Sequence, residues 1–181
     1  MDISDIGKNY PIINAAADDM LKLFGPEFTN TPGGHVETDI AAAASLAGLL
    51  MLRGKGFDLG AFKPGTAFLS DMDTEMDGIW NFMTAVAGNV GMDPESGWDE
   101  EIPDENKPMY SVPEMTRKTE KKVIAICGKH KVKPEFFPYV AVLAALKLVY
   151  SADKLHILDQ NTGKALTGYH VIAGAKTIPY P

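Results

Sequence analysis

Two short groups of side chains have the residue types of a metal site. His35, Glu37 and Asp39 precede an apolar stretch, and Asp73 and Asp77 stand four residues apart further along the chain. Residues four apart share one face of a helix. If both groups begin helices whose ends meet, an imidazole and several carboxylates could bind a divalent metal such as iron or manganese. No Glu-x-x-His motif is present, so we favour the alternative of two helix N-termini whose acids complement the helix dipole.

A longer acidic segment, residues 91–113, is the second candidate site, and we call it the acidic loop. It carries seven acidic residues against one basic residue, and its four prolines argue against regular structure. Loops of this length are usually functional or mobile. We predict that this loop, with Trp98 as its anchor, binds a basic partner. The residues predicted to contact that partner are Trp98, Asp99, Glu100, Glu101, Asp104 and Glu105.

The segment after the acidic loop has the opposite charge. Residues 114–133 carry seven basic and two acidic residues. Five of the bases fall outside the apolar stripe of their predicted helix and should form an exposed surface, which we call the basic ridge. Its members are Arg117, Lys118, Lys121, Lys122 and Lys129. The ridge has no interleaved aromatic residues, and the net charge of −7 opposes binding to nucleic acid. We therefore predict no nucleic-acid partner and interpret the ridge as solvated or as neutralised by the acidic loop.

Composition argues against several other classes of site. The single cysteine, Cys127, rules out an intrachain disulfide and a cysteine-based zinc cluster, and its place on an apolar stripe predicts a buried thiol. The glycine-containing segment 31–34 lacks the lysine and the glycine spacing of phosphate-binding loops, so we predict no cofactor. The N-terminus is acidic, and no apolar run reaches the roughly 18 residues of a spanning helix. These features predict a cytoplasmic protein that does not enter a membrane.

The helix predicted over residues 40–52 should position the other elements. It is apolar on every side, which is typical of a helix buried in a core. Small residues at Ala41, Ala44, Ser45 and Gly48 form a ridge along it that would let a neighbouring helix approach closely.

Four further helices are predicted from apolar periodicity and from their start and stop signals. Ser111 and Glu114 have the spacing of a capping box and should begin the fourth helix. The fifth is almost wholly apolar, and we expect it to be the buried neighbour of 40–52. The predicted helices run over residues 11–24, 37–53, 71–90, 111–133 and 134–150.

The end of the chain has a different pattern. Residues 155–158 and 165–172 flank a cluster of turn-forming residues at 159–163, which predicts a β-hairpin over 154–173. His156 and His170 would then lie on opposite faces of the hairpin. The predicted fold is thus a mainly α-helical single domain over 1–181, with about five helices and a small C-terminal β-hairpin.

Three functional hypotheses are compatible with this pattern. The leading one is a non-enzymatic interaction protein, of the inhibitor or immunity type, that binds a basic partner through the acidic loop. The second is a metal-dependent enzyme or metal-binding protein that uses the histidine and carboxylates named above. The third is a subunit of a larger assembly, a homo-oligomer included, with the small-residue ridge or the hairpin edge as its interface.

Overall fold

A computed structural model of the chain describes residues 3–28, 34–68 and 72–180. These residues form six α-helices, which confirms the prediction of a mainly helical bundle. The predicted loop at 31–34 lies mostly outside the described residues. The helices are α1 (Ile3–Leu21), α2 (Val36–Gly54), α3 (Asp73–Asn89), α4 (Val112–Lys129), α5 (Phe137–Lys154) and α6 (Gln160–Ala175).

α2 is the buried centre of the bundle. All of its residues from 38 to 52 are buried, as its uniformly apolar composition predicts. It packs against α4, α5 and α6, while α1 and α3 both pack against α5. The predicted neighbour relation between 40–52 and 136–150 is confirmed by the α2–α5 packing. α6 is a second close neighbour that the sequence did not predict.

α2 and α6 cross in close contact, and the crossing depends on two glycines. A Cβ atom placed on Gly48 would lie 2.1 Å from the carbonyl oxygen of Val171, and one on Gly174 would lie 2.0 Å from that of Ser45. No side chain fits at either position, so the two backbones meet directly. This confirms that the small-residue ridge admits a neighbouring helix. α6 covers that ridge within the chain, and the hypothesis of a subunit in a larger assembly stays a prediction.

The predicted β-hairpin over 154–173 is also wrong, because residues 160–175 form α6. The turn-forming residues are a helix start. The Asp159 side chain accepts hydrogen bonds from the backbone amides of Asn161, at 2.8 Å, and Thr162, at 3.3 Å, as an N-cap does. No strand occurs in the part of the chain that the structure describes, and Ala67 and Thr177 form an isolated antiparallel bridge. The turn-forming cluster at 159–163 between two short apolar runs suggested a hairpin, but tertiary packing overrides such local propensities.

The predicted start of α4 is confirmed, whereas the end of α4 and the start of α1 differ from the prediction. The capping box at the start of α4 is present, with Glu114 Oε2 accepting from the Ser111 amide at 2.9 Å and from its hydroxyl at 2.6 Å. α4 ends at Lys129, four residues before the predicted end. α1 begins eight residues earlier than predicted, so Pro11 lies inside the helix and not in its first turn.

One helical segment requires a correction to the membrane prediction. Pro134–Lys154 has the length and mean hydropathy, 1.4, of a membrane-spanning helix, whereas we expected no such stretch. However, 67% of its apolar window is buried inside the bundle. The segment is therefore consistent with the core helix of a soluble protein.

Candidate binding groove

The first part of the acidic loop is folded by local hydrogen bonds. The Asp93 side chain accepts from the Glu95 amide and from the Ser96 hydroxyl, both at 2.9 Å. The Trp98 indole then donates to the carbonyl oxygen of Pro94 at 2.8 Å. Such contacts between short polar side chains and nearby backbone are typical of tight turns. They give this glycine- and proline-containing segment a defined shape.

A buried lysine of α6 holds this turn in place. The side chain of Lys164 is fully buried, and its Nζ donates to the carbonyl oxygen of Asp93 at 2.8 Å. The same Nζ lies 5.8 Å from the centre of the Trp98 ring, within the range of a cation–π contact. Burial lowers the pKa of Lys164 below its ordinary value. The lysine thus links α6 to the turn and to its indole.

Trp98 packs against Trp80, the other tryptophan of the chain, on the surface of α6. The rings of Trp80, from α3, and Trp98 are 5.7 Å apart in an edge-to-face arrangement. The backbone of Trp98 and the ring of Trp80 both approach Gly168, where a Cβ atom would be 2.8 Å from the Trp98 carbonyl oxygen and 2.9 Å from Cη2 of Trp80. Gly168 is therefore the position at which α6 accepts the loop and α3 together.

The far end of the acidic loop is attached to the start of α2. The Asn106 side chain donates to Glu37 Oε1 at 3.0 Å, and the Met109 amide donates to the Thr38 hydroxyl at 3.0 Å. The loop is thus held at both ends, and the acidic residues 99–105 lie between the two attachments.

A groove of about 670 Å³ lies between the acidic loop and α6. This volume is in the usual range of ligand pockets. Its walls are mostly apolar and aromatic, and three carboxylates and one lysine line it as well. Tyr169 and Ile172 of α6 are exposed along it. The side chains that line the groove include Trp80, Trp98, Asp99, Glu100, Glu101, Ile102, Lys107, Tyr169, His170 and Ile172.

His170 lies at the buried side of the groove. It is only 6% exposed, and its Nδ1 is 3.2 Å from the Ser45 hydroxyl oxygen on α2. Its other ring nitrogen, Nε2, forms no hydrogen bond with any residue that the structure describes. Burial lowers the pKa of His170 to about 4, so the ring is neutral at pH 7. The predicted hairpin position of this histidine is wrong, because it faces the α2–α6 junction.

The six residues predicted to contact a partner divide into two sets. Trp98 is half-buried and lines the groove together with Asp99, Glu100 and Glu101, whose side chains are exposed. Asp104 and Glu105 are also exposed but lie outside the groove lining, in a single helical turn. Asp104 pairs with Lys107, which lowers the pKa of that carboxyl.

The basic ridge is exposed as predicted, but the acidic loop does not neutralise it. Lys129 pairs with Asp19 of α1 at 2.7 Å, and Lys122 pairs with Glu27. A contact from the ridge to the acidic loop is aromatic, with Lys118 Nζ lying 5.2 Å from the Tyr110 ring centre. The groove carboxylates at 99–101 form no ion pair with the residues that the structure describes.

The predicted metal residues have other partners. His35 caps α2, and its Nδ1 accepts from the Thr38 amide at 3.2 Å. Glu37 contacts the acidic loop, as described above, and lies 3.4 Å from that same Nδ1. Asp39 is buried and accepts from the Gly25 amide at 3.1 Å, and its burial raises the pKa of the carboxyl.

Asp77, the other predicted ligand whose side chain is described, is exposed on α3. It lines a second cavity of about 650 Å³ together with Tyr139 and Pro138. Within the described ranges, no group of three or more histidine, cysteine, aspartate or glutamate side chains is placed to hold a metal ion. The side chain of Asp73 lies outside what the structure describes, so its role as a ligand stays a prediction.

Comparison of the chain with protein-family models, with curated proteins and with solved structures gave no match. The groove is therefore interpreted from its own residues.

Sequence reasoning identified the acidic wall of the groove and missed its opposite wall. Trp80, Lys164, Gly168 and His170 were not predicted as site residues. Lys164 had a usable signal, because it is the only charged residue between Gln160 and Ala175. A charged residue alone in an apolar helix is usually paired or functional. The hairpin interpretation hid this signal by placing the lysine beside a turn.

Proposed function

We propose that the protein is a non-enzymatic interaction protein that binds a basic protein partner in the groove. The supporting observation is that one cavity combines an aromatic wall with three carboxylates that form no ion pair with the described residues. An inhibitor or immunity-type protein that masks a basic surface would have this character, by analogy alone. A cytoplasmic location fits such a role.

The two kinds of groove side chain would make different contributions. Exposed carboxylates steer a basic partner by long-range attraction and raise the association rate. Aromatic side chains at the centre of an interface supply most of the binding energy, and Trp and Tyr are enriched among such residues. Trp80, Trp98 and Tyr169 line the groove beside Glu101. Both requirements are therefore met within one surface.

Intrinsic fluorescence provides a direct test, because the only two tryptophans of the chain line the groove. The protein is titrated with a short peptide of alternating lysine and arginine, at low and at high salt. We expect the tryptophan emission to change on binding and the affinity to fall as salt screens the charges.

Two triple variants with the same change of charge make the test specific. In the first, Asp99→Asn, Glu100→Gln and Glu101→Gln neutralise the groove, and we expect binding to fall by about tenfold or more. In the second, Asp5→Asn, Asp58→Asn and Glu95→Gln neutralise exposed acids elsewhere, and we expect affinity close to that of the wild type. Equal loss in both variants, or no binding by the wild type, would exclude the groove as the binding site.

A further inference from the structure

The second cavity, of about 650 Å³, lies where α2 ends and where α3 and α5 begin. The end of α2 contributes Met51 and, one turn further on, Lys55, and α3 contributes Asp77 and Asn81 with the same spacing. The cavity is therefore built mainly from helical faces. Among the residues that the structure describes, it shares no lining residue with the groove.

Tyr139 of α5 brings a hydroxyl group to the wall of this cavity. The residue is only 6% exposed, and its ring packs against Phe82 and Phe136, at 5.3 Å and 6.4 Å between ring centres. The hydroxyl forms no hydrogen bond with any described residue, and it opens on the cavity and is not sealed in the core. Burial and the carboxylate of Glu75 raise the pKa of Tyr139, so the hydroxyl is protonated at pH 7. It can therefore donate to a ligand or accept from one.

A glycine inside α3 keeps the space beside this hydroxyl open. A Cβ atom on Gly78 would lie 3.0 Å from the Tyr139 hydroxyl oxygen, and both residues line the cavity. Glycine in a helix interior is less favourable than alanine and usually has a packing or functional reason. Here it leaves the tip of the tyrosine facing the cavity and not a methyl group.

The charges around the cavity favour a cation. One lysine and three carboxylates line it, and Lys55 pairs with Glu75 at 2.8 Å. Asp77 and Glu135 are exposed and form no ion pair with the described residues. This excess of negative charge repels an anion. A protonated amine, in contrast, can pair with a carboxylate and donate to the tyrosine oxygen.

The remaining walls favour a cation with an apolar body. Met51, Ile79 and Pro138 are buried apolar residues that line the cavity. A bare inorganic cation would leave these walls in contact with water, whereas an alkyl chain would remove apolar surface from water. The volume is also in the usual range of small-molecule sites.

We infer that the second cavity is a binding site for a small organic amine. The ammonium group of the ligand donates to the hydroxyl oxygen of Tyr139 and pairs with the carboxylate of Asp77. Its apolar body lies against Met51 and Ile79. This site is independent of the groove and of a basic partner, so either proposal stands if the other fails.

Isothermal titration calorimetry with four probes tests the chemical class of the ligand. Hexylamine carries a cation and an apolar body, hexan-1-ol the body alone, ammonium chloride the cation alone, and hexanoate the body with the opposite charge. We expect hexylamine to bind about tenfold more tightly than each of the others. Equal binding of hexan-1-ol, or no binding of hexylamine, would overturn the inference.

A lysine side chain has the same chemistry, so Nα-acetyl-lysine amide is the fifth probe. We expect it to bind more weakly than hexylamine, because its polar amide groups would lie against apolar walls. Binding as tight as that of hexylamine would assign the cavity to a lysine of a protein partner and overturn the assignment to a small amine.

Tyr139→Phe removes the hydroxyl and retains the ring. We expect the affinity for hexylamine to fall by about tenfold, because a hydrogen bond to a charged group is lost. The melting temperature without ligand should be unchanged or higher, because the hydroxyl has no partner among the described residues. Tyr10→Phe, at an exposed position of α1, is the matched control and should retain the affinity of the wild type.

Gly78→Ala tests the same point by filling the space beside the hydroxyl, and it should also weaken the binding of hexylamine. Gly128→Ala is its control, because Gly128 does not line the cavity. An affinity that survives both Tyr139→Phe and Gly78→Ala would overturn the inference. A lower melting temperature of Tyr139→Phe without ligand would do so as well, since the hydroxyl would then serve the fold and not a ligand.

Discussion

The acidic loop and the basic ridge are neighbouring segments of opposite charge, and they differ in how the fold holds them in place. The ridge is tied to the rest of the bundle through its charges, as Lys122 pairs with Glu27 and Lys129 with Asp19. The acidic loop is held by hydrogen bonds and one buried lysine, while its carboxylates at 99–101 form no ion pair with the described residues. Among these three, Glu100 accepts a hydrogen bond from the Asn161 side chain at 3.1 Å. A run of charge in a sequence is therefore not a binding site in itself. What matters is whether the fold already supplies the counter-charges.

The largest expected effect concerns the buried histidine beneath the groove. The pKa of His170 is 6.5 in the unfolded chain, whereas burial lowers it to about 4 in the folded protein. The unfolded state thus binds more protons in this window, and the free energy of unfolding falls as the pH falls, by about 3 kcal/mol in all. The measurement is denaturant unfolding of the wild type and His170→Phe between pH 7 and pH 4.

The exposed His156 provides the control for this titration. We expect His156→Gln to retain the pH dependence of the wild type and His170→Phe to show a shallower one. Identical slopes for the wild type and His170→Phe would show that the buried imidazole is not the titrating group.

A pair of glycine substitutions compares the two regions directly. In Gly168→Ala the added methyl would press on the Trp98 backbone and the Trp80 ring, both within 3 Å, and overpacking of this kind costs about 1–3 kcal/mol. We expect a lower melting temperature, altered tryptophan emission and weaker binding of the basic peptide.

Gly128→Ala is the matched change on the helix of the basic ridge. Apart from the adjoining backbone of its own helix, no described heavy atom lies within 4 Å of the added methyl group there, and alanine is the better helix former by up to about 1 kcal/mol. Unchanged or increased stability is expected. Equal destabilisation by the two substitutions would contradict the assignment of Gly168 as the site where the groove walls meet.

Smaller effects are expected when ridge charges are removed. Lys122→Gln breaks the pair with Glu27, whereas Lys121 forms no ion pair with the described residues. Surface pairs contribute less than about 1 kcal/mol and are screened by salt. We therefore expect a slight loss of stability at low salt for Lys122→Gln, and none for Lys121→Gln. Equal losses of stability in the two variants would show that the contribution of the ridge to stability depends on its total charge and not on its ion pairs.

The smallest effect should come from the part of the acidic loop outside the groove. Glu105→Gln removes a charge that is exposed but does not line the cavity. Such peripheral charges mainly change the association rate and its salt dependence. Stopped-flow mixing with the basic peptide should show slightly slower association at low salt and no change at high salt. A decrease in the association rate as large as that of the triple variant at 99–101 would extend the binding surface beyond the groove.

Several elements were predictable because their signals are local. The capping box of Ser111 and Glu114 lies within one turn, and the apolar composition of 40–52 required burial whatever its neighbours were. The outward position of the basic ridge followed from helical periodicity in the same way. The acidic residues of the groove were predictable as a charged loop.

The end of the chain was mispredicted because its local signals are ambiguous. An aspartate followed by polar residues and a glycine begins either a turn or a helix. The choice depends on the close approach of Gly174 to Ser45, residues more than a hundred positions apart in the chain. Propensity alone cannot weigh such a contact.

The sequence by itself determined which segments are helical at the centre of this protein and where its opposite charges lie, because periodicity and charge are properties of neighbouring residues. Only the tertiary structure decided that Lys122 and Lys129 of the basic ridge are paired and that the carboxylates at 99–101 form no ion pair with the described residues. It also decided that two tryptophans and a buried histidine line one groove beside those carboxylates. These are contacts between distant parts of the chain, and they exist only once α6 has packed into the glycine crossing with α2.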